Sequence, residues 1–424
     1  MNILGIIAEF NPLHTGHAYL MQHLRRETGV AFCVVAMSGD YVQRGEPAFF
    51  SKYLRTKAAL LCGADLVLEL PLSVSTGSAE YFALGAVSLL DRLGCITHLG
   101  FGSESGDIRA FESAGKFLSR EPEAYRHLLQ QFMKTGMNFP KARYEALSLC
   151  LKEHAPDTLS PDDIPNILTL LKSPNNILGT EYCKALYKLH SPIVPVTVKR
   201  LGAGYHETLD ASLPQYASAS GLRKAFLSSP ETGEAERMLQ KYVPDVCRSF
   251  YLKALQQKQY LTFDDLFLPL YYTLQYTDVK TLSGYQDMTP GFSERLFRIF
   301  RQCSSITELN AALKTKDLTS ARINRCLLHI LLRLTKDAAV ANKEQGDALY
   351  ARILGFRRES KALLSEIKKH SSIPLISKLA DARKLLPPPA LAQLEQTIRA
   401  SEVYRAALPG TVSGSEYAQN IIIL

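Results

Sequence analysis

A chain of 424 residues is long enough for two or three domains with at least one substantial core. With 46% hydrophobic and 21% charged residues it is not a largely disordered chain. The absence of a Gly-X-Y period, a solenoid-length repeat or a long apolar run excludes collagen, repeat arrays and a transmembrane helix. The net charge of +8 is unevenly placed: residues 231–424 hold 27 basic and 20 acidic side chains, whereas residues 1–230 hold 22 and 21. Such asymmetry points to a polyanion, nucleic acid or membrane, held by one part of the chain and processed by the other. The ordinary alternative is a solvated surface rich in lysine.

The chain opens on Met1–Ile7, which has no basic n-region and is interrupted at Glu9, so it reads as a strand and not a signal peptide. The expected elements alternate from there. Strand Ile3–Ala8 leads to a helix from about Gly16 to Glu27, and strand Ala31–Met37 to a helix over Ser51–Leu61. Strand Asp65–Leu70 leads to a helix over Ala79–Leu93, then a fourth strand over Cys95–Gly100. Near-continuous apolar strands separated by helices predict a doubly wound, Rossmann-like parallel sheet covered on both faces, the α/β class. A helical insertion spans about 105–170, and Ile193–Val198 supplies one more strand. From about residue 231 the pattern is helical to the end, so an all-α C-terminal domain (231–424) is expected to follow a catalytic domain (1–230). The cysteines at 33, 62, 95, 150, 183, 247, 303 and 326 form no CxxC pair and no metal spacing. They read as buried thiols of a cytoplasmic protein.

Polar residues cluster just after the strands: Glu9-Phe-Asn11-Pro-Leu-His14-Thr-Gly16-His17, Ser38-Gly39-Asp40 with Arg44-Gly45, Glu69 to Ser78, and Phe101-Gly102-Ser103-Glu104. An open parallel sheet binds ligands outside the carboxyl ends of its strands, so these loops converge on one crevice. Two imidazoles three residues apart at a helix N-terminus, His14 and His17, can donate to triphosphate oxygens that gain charge as pyrophosphate leaves. Gly16 lets the nucleotide approach the backbone. Asp40 either holds Mg²⁺ on the triphosphate, positions an attacking amine, or forms an ordinary Asx turn.

The His14-Thr-Gly-His17 arrangement resembles the nucleotidyltransferases with HIGH-type motifs, and Ser218-Ala-Ser-Gly-Leu-Arg223 matches their Ser-rich loop ending in a basic residue. Glu9–His17, SGDYVQRGEPAFFSK (38–52), GADLVLELP (63–71), SAEYFALGA (78–86), FGSE (101–104), SPNNILGTEY (173–182) and Lys199-Arg200 are together similar to the bacterial tRNA(Met) cytidine acetate ligase family. The resemblance is strong over about 1–226 and general beyond it; Leu13 and Thr15 depart from the first motif at positions without an obvious chemical role.

The resemblance implies that ATP and acetate form acetyl-adenylate. The N4 amine of the wobble cytidine in elongator tRNA(Met) then takes the acetyl group, with AMP and pyrophosphate released. It places ATP on Ile7, Ala8, Glu9, Phe10, Asn11, Pro12, Leu13, His14, Thr15, Gly16, His17, Ala18, Tyr19 and Leu20, with further contacts at Gly102, Asn176 and Arg200. Mg²⁺ is expected to accompany ATP, without an assigned protein ligand. Arg44, Lys52, Arg55 and Lys57 form a basic stretch beside the crevice mouth, where tRNA phosphates or plain solvent are the alternatives. Arg322, Arg325, His329 and Arg333 fall on one predicted helix face with the same two readings. Tyr271, Tyr272 and Tyr276 suit core packing better than base stacking. The competing functions are a small-molecule adenylyl- or cytidylyltransferase, and a nucleotide-sensing RNA-binding protein without catalysis.

Overall fold

Apolar runs separated by helices assemble one mixed sheet whose centre is parallel. The computed structural model describes residues 1–154, 163–200, 218–228, 233–409 and 415–424. Its strands are β1 (Ile3–Ala8), β2 (Phe32–Ser38), the short pair β3 (Tyr41–Val42) and β4 (Glu46–Pro47), β5 (Leu66–Leu70), β6 (His98–Ser103), β7 (Val194–Lys199), β8 (Ala351–Phe356), β9 (Leu375–Ile376) and β10 (Ile422–Ile423). The large sheet runs β10-β8-β5-β2-β1-β6-β7, with β9 beside β8, and β3 and β4 form a separate antiparallel hairpin. β1 pairs in parallel with β2 (Ile3 against Phe32) on one side and β6 (Leu4 against His98) on the other. The chain winds away from β1 in both directions, so the crevice opens where β1 and β6 end.

Alternation within these strands feeds two cores. Ile3, Val34, Leu66 and Leu68 face one way, onto the helix Ala79–Arg92. Leu4, Ile6, Val35 and Val67 face the other way, onto helices α1 (Thr15–Thr28) and α2 (Lys52–Leu61). With both faces covered, each position gains from being apolar, about 1.5–3 kcal/mol for a fully buried Val, Leu or Ile. The insertion is helical, Ile108–Arg120, Glu123–Lys134, Phe139–His154 and Asp163–Leu170.

The second half is helical over most of its length, with a third core built on residues such as Leu270, Phe292, Leu327 and Tyr404. It is not purely α. Ala351–Phe356 runs antiparallel to β5, with Leu66 against Phe356, and the C-terminal β10 pairs with it in turn. The two halves therefore share a sheet. A run as short as ARILGF fits either a buried helical turn or a strand, and only the free edge of β5 decides between them. The expected boundary at 230/231 lies outside the described residues. The fourth strand is displaced by three residues from its expected span. Thr97 Oγ1 instead caps β1 by bonding Ile3, and Gly100 to Ser103 are drawn into the ladder by β7. Among the described residues no helix is long and apolar enough to cross a membrane.

Candidate active site

β1 ends in a tight turn. Phe10 adopts φ +48°, costly for a residue with a Cβ, while its buried ring meets the His17 ring edge-on at 5.1 Å. The turn delivers His14 as the N-cap of α1. Its Nδ1 accepts the Gly16 N–H at 3.1 Å, and His17 Nδ1 accepts the His14 N–H at 3.3 Å. This is a capping box with imidazoles in place of the usual hydroxyl and carboxylate. Because both Nδ1 atoms are acceptors, the hydrogen-bond network assigns the ring proton of each neutral imidazole to Nε2. Burial, with help from the Arg200 charge, lowers the His14 pKa to about 3. Burial, then His14 and Arg200, lowers that of His17 as well. Both rings remain neutral Nε2–H donors at the positive end of a helix.

These rings border a cavity of about 550 Å³. Ile7, Ala8, Glu9, Phe10, Asn11, His14, Gly16, His17, Tyr19 and Leu20 of the first motif line it, together with Gly102, Arg200, Arg44 and the loop residues Ser218, Ser220 and Arg223. Pro12, Leu13, Thr15 and Ala18 do not; Leu13 and Ala18 pack in the core instead. A Cβ on Gly102 would stand 3.4 Å from Cγ of the Arg200 side chain, an ordinary contact, so Gly102 lies directly beside that residue in the cavity wall. Arg223 Nη1 donates to the Asn11 carbonyl at 2.7 Å, tying the Ser-rich loop to the first motif. Asn11 Oδ1 in turn accepts the Phe49 N–H at 2.7 Å.

Five sequence expectations are corrected. Asn176 is buried outside the cavity: its Oδ1 accepts the Glu104 N–H at 2.9 Å and its own N–H bonds Glu104 Oε2 at 3.0 Å, so it shapes the loop after β6. The neighbouring Asn175 lines the cavity. Asp40 also faces away. It accepts the Lys52 N–H at 2.9 Å and sits 3.6 Å from Lys52 Nζ, so neither a metal nor an amine meets it.

Lys52 and Arg55 are fully buried and cannot reach tRNA. Arg55 donates to the carbonyls of Glu9, Ser38, Gly39 and Phe50, gathering the carboxyl ends of β1 and β2. Lys52 Nζ meets Glu69 at 2.7 Å and also Glu416, and Arg352 bridges the same two carboxylates at 2.7 and 2.8 Å. Finally, the predicted basic helix face is broken up. On the helix Ser320–Leu331, Arg325 pairs with Asp287 at 2.9 Å and His329 is buried against the Thr76 and Gln286 carbonyls. Arg322 is half-buried and Arg333 is exposed. Tyr272 (65% exposed) and Tyr276 (79%) stand outside the core, ring centres 4.9 Å apart, while Tyr271 packs on Phe300.

A family model for HIGH nucleotidyl transferases matches residues 1–420. A tRNA(Met) cytidine acetate ligase of Acetivibrio thermocellus is 36% identical over 430 residues, covering all of both chains. The chain belongs to that family. A Clostridium acetobutylicum ligase of the same name is 39% identical over 381 residues, covering 89% of this chain and 90% of its own. Among solved structures, Thermotoga maritima TmcAL is 28% identical and superposes over the whole of both chains, with TM-scores of 0.91 for an apo form and 0.90 for the form bound with alpha-thio ATP. The nucleotidyltransferase fold and an ATP-dependent ligase chemistry follow for this chain as a member.

Sequence reasoning missed the hairpin β3–β4. It carries Gln43, Arg44 and Glu46 to the cavity and leans on the helical half, where Asn324 Nδ2 donates to Glu46 Oε1 at 3.0 Å. Gly45 (φ +77°) lies against the backbone of Asn324 and Arg325, where no side chain fits. The Arg44-Gly45 pair was its one visible signal. Among the described residues no group of three His, Cys, Asp or Glu side chains is placed to hold a metal ion. With Asp40 engaged by Lys52, the described residues do not fit a resident metal, and no step is assigned to one.

Proposed function

We propose that this enzyme condenses ATP and acetate to acetyl-adenylate and transfers the acetyl group to N4 of the wobble cytidine of elongator tRNA(Met). The observation that carries the reading is the pair of neutral Nε2–H donors at the start of α1, bordering a cavity with Arg200 and Arg223. Acetate attacks the α-phosphorus, and the bond to the bridging oxygen breaks. The leaving pyrophosphate gathers charge that preorganised donors stabilise without reorganising solvent. Arginines bind the phosphate oxygens as forks. Gly102 leaves space for the nucleoside. Acetate and tRNA(Met) as substrates are supported by the name of a relative that matches end to end, and a cytoplasmic setting is part of the proposal.

The division of labour is also proposed: residues 1–230 activate acetate and 231–424 hold the tRNA. Arg44 at the cavity rim, Arg322 and Arg333 are the cations offered to phosphates, and the exposed Tyr272–Tyr276 pair is offered to an unpaired base. Incubation of the protein with ATP, labelled acetate and tRNA, followed by nucleoside mass analysis, tests the whole reading. Label in N4-acetylcytidine supports it. Pyrophosphate exchange that ignores acetate and requires a phosphorylated acceptor would replace it with a small-molecule nucleotidyltransferase.

A further inference from the structure

We propose that Glu9 is the base that receives the proton of the cytidine amine during acetyl transfer. This role rests on the reading of function above. In that step the N4 lone pair forms a bond to the acyl carbon, and the acyl–oxygen bond to the adenylate breaks with its electron pair leaving on AMP. The amine must also lose one proton. Its lone pair is delocalised into the cytosine ring, so the nitrogen is a weak nucleophile, and a positioned acceptor speeds the attack.

Among the described residues the cavity offers few acceptors. Arginines and lysines aside, the described ionisable side chains lining it are Glu9, Glu46, His14, His17, Tyr19 and Tyr182. Each histidine already uses Nδ1 to accept a backbone N–H of the α1 cap. Protonating Nδ1 would break that cap, and burial opposes the imidazolium in both rings. The tyrosines are phenols, hydrogen-bond donors at neutral pH. Glu46 is engaged: Oε1 accepts from Asn324, and Oε2 lies 3.9 Å from Arg223.

Glu9 remains. Its Oε1 accepts the Gln43 N–H at 2.7 Å, and no donor among the described residues bonds Oε2. Its backbone is fixed from behind, where the buried Arg55 donates to the Glu9 carbonyl at 2.6 Å. The carboxylate and the two imidazoles thus sit on the two arms of one turn, the proton acceptor one residue past the strand and the phosphate donors at the start of the helix. The environment suits a base as well. Burial pushes the Glu9 pKa up, while Arg44 and Arg223 act against that shift and favour the charged form. A carboxylate whose pKa is raised is, in its ionised form, a stronger base than an exposed one.

The test separates the two half-reactions in the full-length protein. Glu9→Gln keeps the size of the side chain and an oxygen for the Gln43 N–H, and removes the base. Acetate-dependent exchange of pyrophosphate into ATP reports adenylation, and single-turnover acetylation of tRNA reports transfer. The expected result is a loss of transfer of about 10²–10⁴-fold, with exchange falling less than about tenfold. The transfer rate of the parent should rise with pH as Glu9 ionises, and the residual rate of the variant should not. Glu9→Asp should recover part of the transfer. Transfer at the parental rate in Glu9→Gln overturns the role, as does an equal fall in exchange and transfer. A parent protein that shows no acetate-dependent exchange overturns the functional reading itself, and the role of Glu9 with it.

Discussion

Two charged clusters sit at the same end of the sheet. One borders the cavity: His14, His17, Arg200 and Arg223. The other lies sealed beside it: Lys52, Glu69, Arg352 and Glu416, all buried, with Asp40 and Ser401 on the same ammonium. The residue types overlap, and both clusters join distant parts of the chain. They differ in what their polar atoms meet. In the sealed cluster the cations and carboxylates pair with one another, Lys52 and Arg352 each with Glu69 and Glu416. In the open cluster the imidazole Nδ1 atoms are used and the Nε2–H groups remain for a ligand. Mutual pairing makes a fastener, and donors left for a ligand make a site.

The largest effect should come from breaking the fastener. Lys52→Met leaves Glu69 and Glu416 one cation short in a dry environment and should cost about 3–5 kcal/mol of stability. A fall in the urea midpoint at constant m-value measures it. Because Glu416 and Arg352 belong to the second half, the two halves should come apart in one transition and not in sequence. A midpoint equal to the parent's would mean that water reaches the cluster.

His14→Ala or His17→Ala should reverse the pattern, sparing the fold and removing a donor. Acetate-dependent exchange should fall by about 10²–10³, or 2.7–4 kcal/mol of transition-state stabilisation. The accompanying loss of the α1 cap should cost only about 1 kcal/mol in the unfolding midpoint. These rings also predict a pH dependence. Their folded pKa values lie below the unfolded value of about 6.5, so the unfolded chain takes up protons that the folded one refuses. Their contribution to stability is full above about pH 6.5 and shrinks as pH falls below it. Urea midpoints at pH 7.5, 6 and 5 should decline, and a His14→Asn, His17→Asn double variant should decline less steeply.

Smaller effects belong to the outer surface. If Tyr272 and Tyr276 stack on unpaired bases, each change to Ala should weaken tRNA binding by about 1–3 kcal/mol while leaving ATP affinity in place. Replacing Arg322 and Arg333 by Gln should lower the slope of log K against log salt by about 0.7–0.9 for each phosphate that is no longer neutralised. Arg325→Gln is the matched control. It breaks the pair with Asp287, so it should change stability more than salt slope.

What the sequence determined by itself is local in its physics. Strands apolar at every position, helices between them and strand-end loops rich in polar residues were enough for the parallel sheet and its crevice. The His14-Thr-Gly-His17 spacing was enough to place two imidazoles at one helix N-terminus. Only the tertiary structure could decide which charges are spent. Lys52 and Arg55 read as a basic rim because a side chain's periodicity does not reveal what stands opposite it. Their partners Glu416, Ser38 and Glu9 come from remote parts of the chain. Asp40 and Asn176 followed the same rule, taken up by Lys52 and Glu104. Tyr272 and Tyr276 erred the other way, exposed although their spacing suited a core. β8 was invisible because a six-residue apolar run becomes a strand only when an edge such as β5 supplies its hydrogen bonds. Pattern specifies what a segment can bury, but only contact specifies what remains unpaired, and chemistry depends on the unpaired groups.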